Sequence, residues 1–273
     1  MPSYDRLARA CDFAATRGVE QIAITEHCNR FEEIAEVALP RWQRDGSPEL
    51  REAAQHVWAS ERGAHLDEYV ALLSSAQERG LPLLVGLEVD HLPGANEAIS
   101  EVLNAYPFDL LLGSVHWLGS WLFDAYGNPT FAREWENRSL DDVWTAYTDA
   151  VIELAGSGRI DVIAHIDVIK VTGRRPDSVA AFEARLCEAI AGTGVAVEVS
   201  SAGVRKPANE LYPSPRLLAM LHDAGVALTT ASDAHTIDQL GLDFDTVATS
   251  LDQIGVETLT TFVRREPRAV SVG

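Results

Sequence analysis

The chain has 273 residues, 47% hydrophobic and 23% charged, with 41 acidic against 22 basic side chains and a formal net charge of -19. That length suits one large α/β barrel and is short for two ordinary domains, so a single domain over residues 1–273 is expected. The acidic balance argues against a nucleic-acid binder, which needs a concentrated cationic surface, and favours small-molecule chemistry.

Residues 4–17 place Leu7, Ala10, Cys11, Phe13 and Ala14 at helical spacing before Gly18, which predicts an amphipathic helix with a glycine stop. Residues 21–25 read as a short buried strand. A helical insertion around residues 32–79 follows, interrupted at Pro40 and at Gly46-Ser47-Pro48, and is expected to roof the active-site end. From residue 82 onward, apolar runs alternate with helical patterns: strands near 82–88, 110–112, 161–164, 195–199 and 226–231, helices near 96–105, 140–155, 179–191 and 215–224. Such βα repetition predicts a parallel sheet. The segment 117–138, with Trp121, Phe123, Tyr126 and Trp135, is long and aromatic enough for a substrate-covering element.

Six strand ends carry histidine, carboxylate or hydroxyl groups: Glu26-His27, Glu88, His116, His165, Glu198 to Ser201, and Asp233 with His235. A parallel barrel gathers the C-terminal ends of its strands on one face, so these groups are expected to meet. Divalent transition metals take imidazole nitrogens and carboxylate oxygens, and a carboxylate can bridge two ions. Glu88, ending a strongly apolar strand, is costly to bury without a metal or cationic partner. For His116 or His165 alone, a core histidine bonded to a backbone carbonyl is the simpler reading; together with Glu88 they form a ligand set. Asp233 and His235, two apart, point to the same side if the chain is extended there, while a helix N-cap is the alternative for Asp233. Glu26 and Asp90 are candidates to orient imidazoles, and His91 to adjoin the site; His56, His65 and His222 fall on solvated helical faces. The segment from Ser200 to Lys206 carries hydroxyls, a glycine and two cations, and Arg205 offers a planar fork suited to phosphate.

Cys11, Cys28 and Cys187 have neither close pairing nor zinc-knuckle spacing and are expected as reduced thiols in a cytoplasmic protein. No apolar stretch reaches bilayer length, and the start lacks a basic-then-apolar leader.

With these residues in view, the chain resembles the polymerase-and-histidinol-phosphatase (PHP) superfamily, and within it the histidinol-phosphate phosphatases. The resemblance runs from about Ala8 to Gly241, through Ile24-Thr25-Glu26-His27, Gly86-Leu87-Glu88-Val89-Asp90, Gly113-Ser114-Val115-His116, the 161–170 stretch, Val204-Arg205-Lys206-Pro207 with Tyr212-Pro213-Ser214-Pro215, and Ser232-Asp233-Ala234-His235. It implies a distorted seven-stranded (β/α) barrel with up to three zinc, iron or manganese ions. Carried over, Glu88 would bridge two metals, His116 and His165 would complete the second, His27 and His235 would hold the third, and Asp233 would ligate the first. Glu88, Asp233 and His235 would thus serve catalysis, and Ser200, Arg205 and Lys206 the substrate phosphate. The family opens with a strand ending in His-x-His, and no such motif precedes Leu7. The expectation is therefore a barrel lacking its first strand here, either because the start is placed downstream of the true one or because the chain is a reduced paralogue.

The implied reaction is hydrolysis of histidinol phosphate to histidinol and phosphate, in histidine biosynthesis. Two alternatives stand beside it: another phosphoesterase of the superfamily acting on a nucleotide or sugar phosphate, and a truncated metal- or phosphate-binding protein without catalysis.

Overall fold

The computed structural model describes residues 3–272. Helix α1 (Tyr4–Ala15) starts where the Ser3 hydroxyl accepts from the Arg6 N–H, and it buries Leu7, Ala10, Cys11 and Ala14. Phe13 lies off that face under the Arg17 guanidinium, 4.8 Å from its ring centre. Gly18, at φ 75°, ends the helical region in the left-handed conformation that favours glycine.

Strand β1 (Ile22–Ile24) is followed by α2 (Glu32–Ala38), α3 (Pro48–Glu61) and α4 (Leu66–Glu78), which are the expected interrupted helices. Ser47 caps α3 through the Leu50 N–H, and Pro48 sits in its first turn, where a missing N–H costs nothing. The chain then alternates through β2 (Leu83–Asp90), α5 (Asn96–Leu103), β3 (Leu110–Ser114), a small hairpin β4 (Trp117–Leu118) and β5 (Trp121–Leu122), α6 (Pro129–Asn137), α7 (Leu140–Ala155) and β6 (Val162–Ile163). It continues with α8 (Ala180–Ile190), β7 (Ala196–Ser200), α9 (Pro215–Asp223), β8 (Leu228–Ala231), α10 (Phe244–Gln253) and a terminal hairpin of β9 (Thr258–Val263) and β10 (Glu266–Ser271).

Six strands form one parallel sheet in the order β1-β2-β3-β6-β7-β8. The sheet curls around an inner core of Leu84, Leu110, Leu112, Val162, Ala164 and Ala196, closed by Phe262 from the terminal hairpin. A larger core lies outside it, between the sheet and the helices. Gly86 is tightly enclosed: a Cβ there would lie 2.8 Å from Thr25 Cγ2 and 3.1 Å from the Ile24 carbonyl oxygen.

The described residues supply six parallel strands rather than seven, and β1 and β8 do not pair with each other. Between them lies a cavity of about 400 Å³, walled by Ile22, Ile24, Thr229 and Ala231 and floored by Leu110 and Leu112. Residues of α1 and α10, among them Leu7 and Phe244, border its outer side.

Two regions depart from expectation. The aromatic rings of 117–138 are mostly core: Trp121 and Phe123 are fully buried, and the indole N–H groups of Trp121 and Trp135 donate to the Phe131 and Phe123 carbonyls. The segment is a packed unit against α3, and only Tyr126 of its named aromatics keeps partial exposure. The sequence carries no local signal for the terminal hairpin, because its turn residues Arg264 and Arg265 (φ 50° and 67°) lack the Asn or Gly that marks such turns. Asp109 accepts the Arg264 N–H, its carbonyl accepts the Arg265 N–H, and the Arg265 guanidinium lies 3.0 Å from Asp161. These contacts offset the strain of two non-glycine residues at positive φ.

Candidate metal centre

Side chains alternate along a strand, so Leu84, Gly86 and Glu88 share the inner face of β2, as Ala196 and Glu198 share that of β7. The last member of each series is a carboxylate at the C-terminal rim. Glu88 and Glu198 are buried there, at 7% and 3% exposure.

Three imidazoles close on Glu88. His27 Nδ1 lies 3.3 Å from Oε2, while His165 Nε2 and His116 Nε2 lie 3.2 and 3.5 Å from Oε1. Donor atoms of His27, Glu88 and His116 all fall within 4.8 Å of one another. Backbone geometry fixes this meeting: a parallel bridge joins His27 to Glu88, and the Glu88 N–H donates to the Glu26 carbonyl. Tyr69 of α4 lies beneath the same junction, its hydroxyl within 3.0 Å of the Ile24 carbonyl and 2.9 Å of the Gly86 carbonyl.

Asp90 orients His116, with 2.8 Å between Oδ1 and Nδ1. This confirms the expected positioning partner and leaves His116 Nε2 facing His165 Nε2 at 3.3 Å. Two imidazole nitrogens aimed at each other and at one carboxylate match the needs of a cation better than those of a hydrogen bond. Glu26 instead pairs with Arg30 at 2.6 Å. His91 is buried behind the rim beside Asn96, and His56, His65 and His222 lie away from the cluster; His65 pairs with Glu33.

The ionisation pattern follows from this packing. Burial alone would raise the Glu88 pKa, but the charge of His27, the hydrogen bond from His165 and the charge of His116 hold it well below the usual carboxylate range. Burial lowers His116, and the charges of Asp90, Asp124 and Glu88 reverse this and raise it well above the ordinary imidazole value. His165 is likewise raised by Glu88 against the effect of burial. Glu198 goes the other way: burial, opposed by His165 and assisted by Asp233 and Glu88, pushes it up to about 7. Glu198 accepts the His165 N–H at 3.3 Å. Strand alternation places it on the inner face, at the strand end that also carries Ser200 and Ser201.

Asp233 and His235 stand at the same mouth. The His235 ring centre is 6.0 Å from that of His27, and His235 Nδ1 lies 3.6 Å from Asp233 Oδ1. The extended geometry expected for this pair is absent: Asp233 adopts φ 46°, a left-handed turn, and still directs both residues to the cavity. Thr236, not Asp233, occupies the N-cap position of the short helical turn that follows, without a side-chain capping bond.

In the 200–206 loop the three expected phosphate contacts separate. Ser200 is fully buried and its hydroxyl accepts the Ala202 N–H, which makes it a turn former. Arg205 ties three segments together: its guanidinium donates to the Ser232 carbonyl at 2.6 Å and lies 3.4 Å from the Ser201 hydroxyl and 3.5 Å from Asp243. Lys206 is exposed. Beneath this loop, buried Lys170 binds Asp167 at 2.7 Å, Glu210 at 2.8 Å and the Leu211 carbonyl at 2.8 Å, joining the His165 segment to the loop's far end.

A curled parallel sheet whose C-terminal rim gathers three imidazoles about one buried carboxylate defines a metal-site protein of the α/β-barrel class. The model of the PHP domain matches residues 1–202. A protein of Deinococcus radiodurans named "Probable histidinol-phosphatase" is 36% identical over 199 residues, covering 71% of this chain and 75% of its own. One of Schizosaccharomyces pombe with the same name is 23% identical over 265 residues, 90% of this chain and 80% of its own. Among solved structures, histidinol phosphate phosphatase from Lactococcus lactis, crystallised with zinc, L-histidinol and phosphate, aligns with a TM-score of 0.72 at 18% identity, covering 96% of this chain and 92% of that one. The chain belongs to the PHP domain family.

Proposed function

We propose that this protein is a phosphoric monoester hydrolase that converts histidinol phosphate to histidinol and phosphate, a step of histidine biosynthesis, using divalent metal ions. The observation that carries the reading is the convergence of His27, His116 and His165 on the buried Glu88 carboxylate, in a chain 36% identical to a relative named for that activity. Glu88, His27, His116 and His165 would hold these ions, with Asp233 and His235 at the same mouth as further ligands. Zinc, iron or manganese would suit this nitrogen and oxygen set, with up to three ions in a complete site. Bound there, such ions supply charge neutralisation for the phosphoryl oxygens and activation of water.

The residues of the chain do the rest. Asp90 fixes the His116 ring so that Nε2 faces inward. Arg205, held at the rim by Ser201, Ser232 and Asp243, presents positive charge to the phosphoryl oxygens, and exposed Lys206 adds a second cation. In the reaction, water oxygen bonds to phosphorus, the P–O ester bond breaks, and the leaving alkoxide takes up a proton.

We further propose that the sheet is one strand short of a closed seven-stranded barrel, and that the cavity between β1 and β8 is the place of the seventh strand, which would bring more ligands for the first and third metals. Support comes from the unpaired edges of both strands and the cavity between them. The protein is read as one domain, cytoplasmic, with a small phosphate ester rather than nucleic acid or membrane as its partner; no helix among the described residues is long and apolar enough to cross a membrane.

Metal content and phosphate release are measured together, on histidinol phosphate and on a panel of nucleotide and sugar phosphates. A marked preference for histidinol phosphate supports the reading. Preference for another ester replaces the substrate, and bound metal without phosphate release from any ester sinks the catalytic proposal.

A further inference from the structure

The hairpin after His116 returns the chain to the metal cluster. Trp117 and Leu118 pair with Leu122 and Trp121, and the Phe123 N–H then donates to the His116 carbonyl at 3.2 Å. Phe123 is locked in place: its ring is fully buried against Trp135 and Tyr147, and its carbonyl accepts the Trp135 indole N–H. The next residue, Asp124, is therefore held close to the His116 backbone.

Asp124 is an acid without a counter-ion. Its Oδ1 is buried and has no hydrogen-bond partner, and no cation among the described residues lies within ion-pair distance. The residue as a whole remains partly exposed. A second oxygen in the same neighbourhood is equally unused. Tyr212, 1% exposed with its ring centre 6.3 Å from that of His165, has a hydroxyl with no partner. The geometry links the two oxygens through the histidines: the Tyr212 ring adjoins that of His165, whose centre is 5.0 Å from that of His116, and Asp124 directly follows Phe123, whose N–H donates to the His116 carbonyl. Two other buried carboxylates of the region have cations: Asp167 has Lys170, and Glu183 has Arg216.

An unpaired carboxylate and an unpaired hydroxyl at one site call for a multiple donor carrying positive charge, because leaving them unmet costs their full desolvation. From these residues we infer that Asp124, with the Tyr212 hydroxyl, is the specificity element that receives the protonated primary amine of the substrate. The inference rests on the substrate reading given above. In histidinol phosphate two carbons separate the amine nitrogen from the ester oxygen, so an ester placed at the cluster carries its ammonium group close to the metal ligands. The ammonium offers three N–H donors, enough for the carboxylate, the hydroxyl and one further acceptor. A phosphate ester lacking the amine leaves both oxygens unmet, and that difference is the discrimination.

The test compares kcat/KM for histidinol phosphate and for its deamino analogue in the metal-loaded wild type, in Asp124→Asn and in Tyr212→Phe. The preference of the wild type for the amine-bearing ester falls about 10- to 100-fold in Asp124→Asn, the worth of a charge-assisted hydrogen bond, and by a smaller factor in Tyr212→Phe. Metal content stays at the wild-type value in both. A loss shared equally by both esters, leaving the preference unchanged, overturns the assignment, and so does loss of a metal ion in Asp124→Asn. Tyr212→Phe removes only an unbonded hydroxyl, so it keeps the test valid if the Asp124 variant does not fold.

Calorimetric titration with L-histidinol and with its deamino analogue separates this inference from the phosphatase reading. Should the wild type hydrolyse neither ester, yet bind L-histidinol at least tenfold more tightly than Asp124→Asn does, the amine site stands and the phosphatase reading falls. Equal binding by the two proteins, or no binding of L-histidinol by the wild type, removes the amine site.

Discussion

At the scale of the residue, Glu88 concentrates the chemistry. It is buried at the end of an apolar strand, and its charge is sustained only by the imidazoles around it. Replacing it with Gln keeps the shape but removes the charge that both holds the histidines and attracts a cation. Glu88→Gln is expected to lose bound metal and to lower phosphate release by more than 100-fold, the scale of lost electrostatic stabilisation at a transition state; elemental analysis beside a phosphate assay checks both. Wild-type metal content in that variant would remove Glu88 from the ligand set. Glu198 gives a pH signature in the metal-free protein. Its pKa of about 7 lies above the ordinary 4.5, so below pH 4.5 both folded and unfolded chains carry the proton. Between 4.5 and 7 the unfolded chain alone releases it, which favours unfolding, and stability falls as pH rises, on the order of 3 kcal/mol across the window. Denaturant melts of metal-free wild type and Glu198→Gln across this range should differ in slope, the variant being flatter. Parallel pH dependences would show that Glu198 does not carry the effect.

At the scale of the element, short strands depend on what braces them. Strand β1 has three residues, and Tyr69 of α4 ties its end to β2 through the Ile24 and Gly86 carbonyls. Tyr69→Phe leaves two buried carbonyls poorly satisfied, and it is expected to cost about 1–3 kcal/mol in urea melts. Because β1 leads directly into His27, the same variant should bind metal more weakly; unchanged stability and metal affinity would show that the β1–β2 pairing alone sets that junction. The terminal hairpin is the second brace. Phe262 fills the floor of the inner core, and Phe262→Ala is expected to destabilise by about 3–5 kcal/mol, the usual cost of a buried phenyl. A change below 1 kcal/mol would mean that the hairpin lies on the sheet without closing it. Sequence pattern located the helices and strands of the βα repeat because amphipathic spacing and apolar runs are local properties. Pattern could not see the hairpin, whose Arg264-Arg265 turn is stabilised by Asp109 and Asp161, residues more than a hundred positions away. Nor could it tell that Trp121, Phe123 and Trp135 pack against one another, since an aromatic run reads alike whether it covers a ligand or fills a core.

At the scale of the whole molecule, the proposed metal site would couple metal binding to the fold. The proposed ligands come from β2 and from the segments that follow β1, β3, β6 and β8, so an ion on them would tie distant parts of the sheet together. Chelation of the metals is therefore expected to lower the melting temperature, by the equivalent of about 4 kcal/mol for an ion held at a thousand times its dissociation constant. Calorimetry with and without chelator measures this, and coincident melts would show that ions contribute nothing to the folded state. The sequence by itself determined the class of sheet, the strand ends that carry chemistry and the identity of the clustered histidines and carboxylate, because these follow from local periodicity and from which atoms can ligate a metal. Only the tertiary structure decided which of those groups meet. It turned Asp233 through a left-handed conformation, buried Ser200, tethered Arg205 to three segments, and set Asp124 close to the His116 backbone with no partner of its own. Those outcomes depend on contacts between residues far apart along the chain, and distance in space is not written in the order of the residues.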